Sequence, residues 1–131
     1  MVHPGPPRHV LFVCKYNRSR SATAERLFCK RPDLDVRSAG TSEDALVRVN
    51  DRMLDWADVI FTMEHAQQRA LQRLFPSHPG LRKLVCLDIP DDFAFLQPEL
   101  VQLLKERVGP HLPHPRKAHG SEPRKADSDS G

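Results

Sequence analysis

Val10–Phe28 reads VLFVCKYNRSRSATAERLF, and its two halves have different periodicities. Val10 to Val13 are apolar and largely β-branched or aromatic, as a buried strand requires, and the strand ends on Cys14. Ala22, Ala24, Glu25, Leu27 and Phe28 continue as a helix, so the chain between them must reverse direction tightly. A loop wrapped onto a helix N-terminus aims several backbone N–H groups at the positive end of the helix dipole, where an anion the size of phosphate can sit. A cysteine in that field is favoured as thiolate, its nucleophilic form. Arg20, at the mouth of the helix, supplies a planar fork for two phosphate oxygens.

Outward from this segment, strand and helix signals alternate. Strands are predicted at 8–13, 34–38, 58–62 and 83–88, and helices at 20–30, about 50–56, 65–75 and 97–107. This order predicts an α/β fold: a doubly wound, four-stranded parallel sheet with helices on both faces and the phosphate loop after strand 1. Such sheets bind ligands beyond the strand C-termini where strand order reverses, and Cys14 lies there if strand 1 is central. Pro32 separates the first helix from the second strand, and Pro98 suits the first turn of the last helix. No internal repeat is visible.

Composition bounds the rest. The chain of 131 residues suits one domain. Residues 1–7 read as a flexible lead-in, 8–108 as the folded domain, and 109–131 as a disordered tail rich in Pro, Gly, Ser and charge. A net charge of +3 is too mild for a dedicated nucleic-acid binder, and no apolar run reaches the length of a membrane span. Met1–His9 has no apolar stretch of the signal-peptide kind, and three widely spaced cysteines suit a reducing compartment, so a cytoplasmic location is expected. No C-x-x-C pair is present, and His111, His114 and His119 fall in a Pro-interrupted segment that is costly to order, so no metal or cofactor is expected.

The loop itself carries a further pattern. Cys14, Asn17, Arg20 and Ser21 reproduce C-x-x-N-x-x-R-S, and the chain from about 9 to 108 resembles the low-molecular-weight protein tyrosine phosphatase family. SAGT at Ser38–Thr41 and WADVIFTME at Trp56–Glu64 are similar to that family's second and third strands, where Asp58 and Met63 read as packing or capping residues. The resemblance implies that Asn17 braces the loop, that Ser21 donates a hydrogen bond to the thiolate, and that Lys15, Tyr16, Arg18 and Ser19 complete the phosphate-binding segment. Cys14 and Arg20 would then act in catalysis.

Phosphate ester cleavage also calls for a carboxylic acid to protonate the leaving oxygen. The family carries one in an Asp-Pro-aromatic motif, and Ile89–Phe93, IPDDF, aligns Asp91 with that acid, although Asp92 replaces the proline and Asp88 lies in the same loop. Phe95 is expected to anchor the last helix in the core. The implied function is a cysteine-dependent phosphatase acting on phosphotyrosine proteins or small phosphoesters through a phosphocysteine intermediate. Arg18, a cation where the phosphoarginine branch has Thr, disfavours a phosphoguanidine. Two alternatives stay open: an arsenate reductase of the same fold, for which only Cys86 lies in the right half of the chain while Cys29 and Cys86 read as packing residues, and a phosphate-binding module that turns over weakly.

Overall fold

The computed structural model describes residues 7–113. Its four strands, β1 (Arg8–Cys14), β2 (Leu34–Gly40), β3 (Val59–Thr62) and β4 (Leu84–Cys86), form one parallel sheet in the order β2-β1-β3-β4. β1 is therefore central. It pairs with β2 from Arg8 opposite Leu34 to Cys14 opposite Gly40, and with β3 from Val10 opposite Val59 to Val13 opposite Thr62. Strand order reverses between β1 and β3, which puts Cys14 at the crevice where such sheets take their ligands.

The two-residue period of β1 divides the core. Val10, Phe12 and Cys14 face one side, packed with Ala24 and Phe28 of α1 (Arg20–Phe28) and Leu100 and Leu104 of α4 (Pro98–Val108). Leu11 and Val13 face the other, packed with Leu54 of α2 (Asp51–Trp56) and Leu71 of α3 (His65–Leu74). The helices thus cover both faces, as the alternating pattern predicts. Each helix start has a local cause. Asn50 accepts from the Met53 N–H at 2.9 Å, Glu64 and Gln67 form a reciprocal capping box on α3, and Pro98 opens α4 where its missing N–H costs nothing.

The structure corrects four expectations. The last strand covers three residues instead of 83–88, because Pro79–Lys83 form a 3-10 helix before it; past Cys86, the Leu87 and Ile89 N–H groups still bond to Thr62 and Met63 at 2.8 and 2.7 Å. Residues 109–113 are packed, not disordered: Gly109–His111 form a 3-10 helix, the His111 ring sits edge-on to Phe61, Leu112 is buried, and Arg31 donates to the Pro113 carbonyl at 2.8 Å. The remainder of the expected tail, with His114 and His119, and residues 1–6 of the lead-in lie outside the described residues. Phe95 is exposed and Phe93 packs on the core in its place, and Cys29 is exposed at the end of α1.

Candidate active site

Cys14 ends the central strand and is buried. Its Sγ lies 2.9 Å from Ser21 Oγ and accepts from the Asn17 backbone N–H at 3.2 Å. Asn17 has φ 59°, a left-handed conformation that Asn tolerates better than most residues and that turns the loop back over the sulfur. Its side-chain amide donates to Ser21 Oγ at 2.9 Å and to Ser38 Oγ at 2.8 Å, and Ser38 in turn donates to Glu25. The carboxylate at the far end can only accept, which fixes the direction of the whole chain. Ser38 gives its proton to Glu25, Asn17 donates both ways, and the Ser21 proton is left for the sulfur at 2.9 Å or the Ala39 carbonyl at 3.5 Å, the sulfur being the nearer acceptor.

The loop is supported from behind by the segment after β2. Thr41, Ser42 and Leu46 N–H groups bond to the carbonyls of Cys14, Lys15 and Tyr16 at 3.0, 2.9 and 3.1 Å. These bonds occupy three of the loop's carbonyls, and the Asn17 N–H reaches the sulfur. The N–H groups of Lys15, Tyr16, Arg18, Ser19 and Arg20 meet no described acceptor, and α1 begins after Ser19 with no side-chain cap. Gly40 is required here, since a Cβ would stand 2.5 Å from the Lys15 carbonyl oxygen.

Arg20 is almost wholly buried. Its Nη1 donates to Glu64 Oε1 and to the Ile89 carbonyl, both at 2.8 Å, which sets the plane of the guanidinium. Its Nε is buried without a hydrogen-bond partner, 3.6 Å from Asp91 Oδ1. A buried guanidinium N–H left unpaired is costly unless something fills the position, and an oxyanion beside the loop amides would do so.

Of the three carboxylates in 88–92, only Asp91 lies within ion-pair range of Arg20. Asp88 and Asp92 are exposed, and Arg107 holds the Leu87 and Asp88 carbonyls. At the rim, Lys15, Tyr16 and Arg18 are exposed; both cations lie over the Tyr16 ring, and Arg18 reaches the Asp44 carbonyl at 3.4 Å. Ser19 is half-buried at the start of α1.

Three site residues escape sequence reasoning: Ser38, Glu25 and Glu64. Each left a trace. Ser38 sits near the C-terminal end of the strand beside β1, Glu25 is four residues after Ser21 on one helix face, and Glu64 opens a capping pattern.

No protein-family model matches the chain, and no curated protein matches it. Solved structures do. The tyrosine phosphatase Wzb from Escherichia coli K30, in complex with phosphate, superposes with a TM-score of 0.66 at 19% identity, over 79% of this chain and 94% of that one. The chain has the low-molecular-weight protein tyrosine phosphatase fold. SP-PTP, the low-molecular-weight protein tyrosine phosphatase from Streptococcus pyogenes, superposes at 0.66 and 17% identity, covering 79% and 90%. The YwlE arginine phosphatase from Geobacillus stearothermophilus gives 0.60 at 21%, covering 80% and 95%. The three superpositions cover about four-fifths of this chain and nine-tenths or more of each neighbour. No described helix is long and apolar enough to cross a membrane.

Proposed function

We propose that this chain is a cysteine-dependent phosphatase of phosphotyrosine or related phosphomonoesters. One observation carries the reading: a sulfur supplied with two hydrogen-bond donors stands at the opening of α1, beside an arginine whose buried Nε has no hydrogen-bond partner. Cys14 attacks phosphorus in line, forming the S–P bond as the P–O bond to the leaving group breaks, and Asp91 gives that oxygen its proton. Asp91 then takes a proton from the water that cleaves the S–P bond and releases phosphate. Arg20 and the loop amides hold the equatorial oxygens through both steps, where fixed donors act on spread charge. Asn17 and Ser21 keep the sulfur reactive, while Lys15, Tyr16, Arg18 and Ser19 frame the phosphate. None of these steps passes through a metal.

The cationic rim of Lys15 and Arg18 favours anionic esters over a phosphoguanidine, which supports the tyrosine side of the fold's repertoire. Three free cysteines fit a reducing, cytoplasmic setting. Arsenate reduction finds little support. Cys29 closes α1, Cys86 lies on β4, and no close pair of cysteines follows the loop to relay oxidation.

The test is phosphate release from p-nitrophenyl phosphate between about pH 4 and 8 with chelator present. Wild type should turn over, and Cys14→Ser should lose at least about 10⁴-fold while still binding inorganic phosphate. A Cys14→Ser protein at the wild-type rate would overturn the assignment.

A further inference from the structure

Beside the phosphate loop, a groove of about 290 Å³ runs along α3, and its charge is of one sign. Lys15, the residue after the nucleophile, lines it together with Thr41, and Arg69 and Arg73 line it from α3 with Ala66, Gln67 and Ala70. No carboxylate lines the groove, and none of its three cations lies within ion-pair distance of a described carboxylate. All three are exposed. α3 is anchored to the site itself, because Glu64 at its N-cap also holds Arg20.

We propose that this groove is a second anion subsite that takes acidic side chains flanking the phosphorylated residue of a peptide substrate; the proposal rests on the phosphatase reading and adds the substrate class. Spacing supports a peptide. Arg69 and Arg73 are four residues apart on a helix, a rise of about 6 Å. Alternate side chains of an extended peptide are about 6.6 Å apart, so two carboxylates on one face of a strand-like segment meet the two guanidiniums in turn. Lys15 belongs to the phosphate loop and also lines the groove, so the groove adjoins the site.

The test uses the full chain carrying Cys14→Ser and two fluorescent phosphotyrosine peptides, one with Asp and Glu at alternate flanking positions and one with Asn and Gln in their place. Anisotropy should show the acidic peptide binding about 5- to 10-fold more tightly at low salt, as two exposed ion pairs allow, and the gap should close near 0.5 M salt. Adding Arg69→Gln and Arg73→Gln should bring the two peptides within about twofold of each other. Both substitutions keep good helix formers on an exposed face, and circular dichroism verifies the fold. Equal binding of the two peptides, or a preference that survives the double substitution, overturns the subsite. So does a single-stranded oligonucleotide that binds through the same arginines more tightly than the acidic peptide. Wild-type release from p-nitrophenyl phosphate, run in parallel, reads the phosphatase assignment separately: turnover without an acidic preference removes the subsite alone, and an acidic preference without turnover removes the enzyme alone.

Discussion

The phosphate loop, 14–21, and the acid loop, 88–96, meet at Arg20 and are held in opposite ways. In the first, the side chains around the sulfur are bonded to one another: Asn17, Ser21, Ser38 and Glu25 form one chain, and three backbone bonds support the loop from behind. The second is fixed at its ends and exposed between them. Ile89 is buried, Leu96 takes φ 61° with its N–H on Thr23 Oγ1 at 2.9 Å, and from Pro90 to Phe95 only Phe93 is even partly buried. On the proposed phosphatase reading, the anion site is built before substrate arrives, whereas the acid is carried on an exposed segment. That division suits a reaction in which oxygens must be held fixed while a proton is delivered to leaving groups of different size.

The sharpest way to break the comparison is through the carboxylates. Asp91→Asn should slow turnover of p-nitrophenyl phosphate by about 10²- to 10⁴-fold, with the acid limb of the pH profile altered. Asp88→Asn and Asp92→Asn should stay close to wild type, since neither carboxylate comes within ion-pair range of Arg20. If Asp92→Asn matched the loss in Asp91→Asn, the acid loop would deliver its proton from a conformation other than the one seen.

The same contrast explains what the sequence disclosed. The strand, the turn and the helix of the phosphate loop are contiguous, so Cys14, Asn17, Arg20 and Ser21 could be read together, and the alternating apolar runs yielded a four-stranded doubly wound sheet. Ser38, Glu25 and Glu64 join the site only through strand pairing and helix docking, so their polar character looked like ordinary surface until the fold placed them. The acid loop has neither a helical nor a strand period, and nothing in FAFL distinguishes the packed Phe93 from the exposed Phe95. Residues 109–113 misled for a related reason: Gly, Pro and His conceal one buried side chain, Leu112, whose position depends on α4 ending where it does.

A substitution inside the rigid loop should register in both stability and rate. Asn17→Ala removes two side-chain hydrogen bonds, leaves buried Ser38 with one partner fewer, and puts a residue less tolerant of φ 59° at the turn. Losses of about 2–3 kcal/mol in unfolding free energy and about 10²-fold in kcat/KM are expected, the second because the sulfur and the amides lose their alignment. Denaturant melts and steady-state rates on the same preparation check both. Full activity with reduced stability would mean that the chain from Asn17 to Glu25 serves folding alone.

The smallest effect belongs to a clamp remote from both loops. Arg31 donates to Asp33 at 3.0 and 2.6 Å and to the Pro113 carbonyl, tying the start of β2 to the end of the packed domain. The hydrogen bond from Arg31 holds the Asp33 carboxyl below the usual carboxylate range. Because the folded state binds that proton more weakly than the unfolded chain, the clamp's stabilisation is fully present above the unfolded pKa of about 4 and is lost as pH falls through the lower folded value. Asp33→Asn should therefore cost at most about 1 kcal/mol at pH 7, and its deficit against wild type should shrink in melts below about pH 4. Its kcat/KM at pH 7 should match wild type, since the clamp touches neither Arg20 nor the loops. A rate that fell with this substitution would show the acid loop to be tuned through α4, whose C-terminal end carries both the packed 109–113 segment and Arg107 on the Leu87 and Asp88 carbonyls.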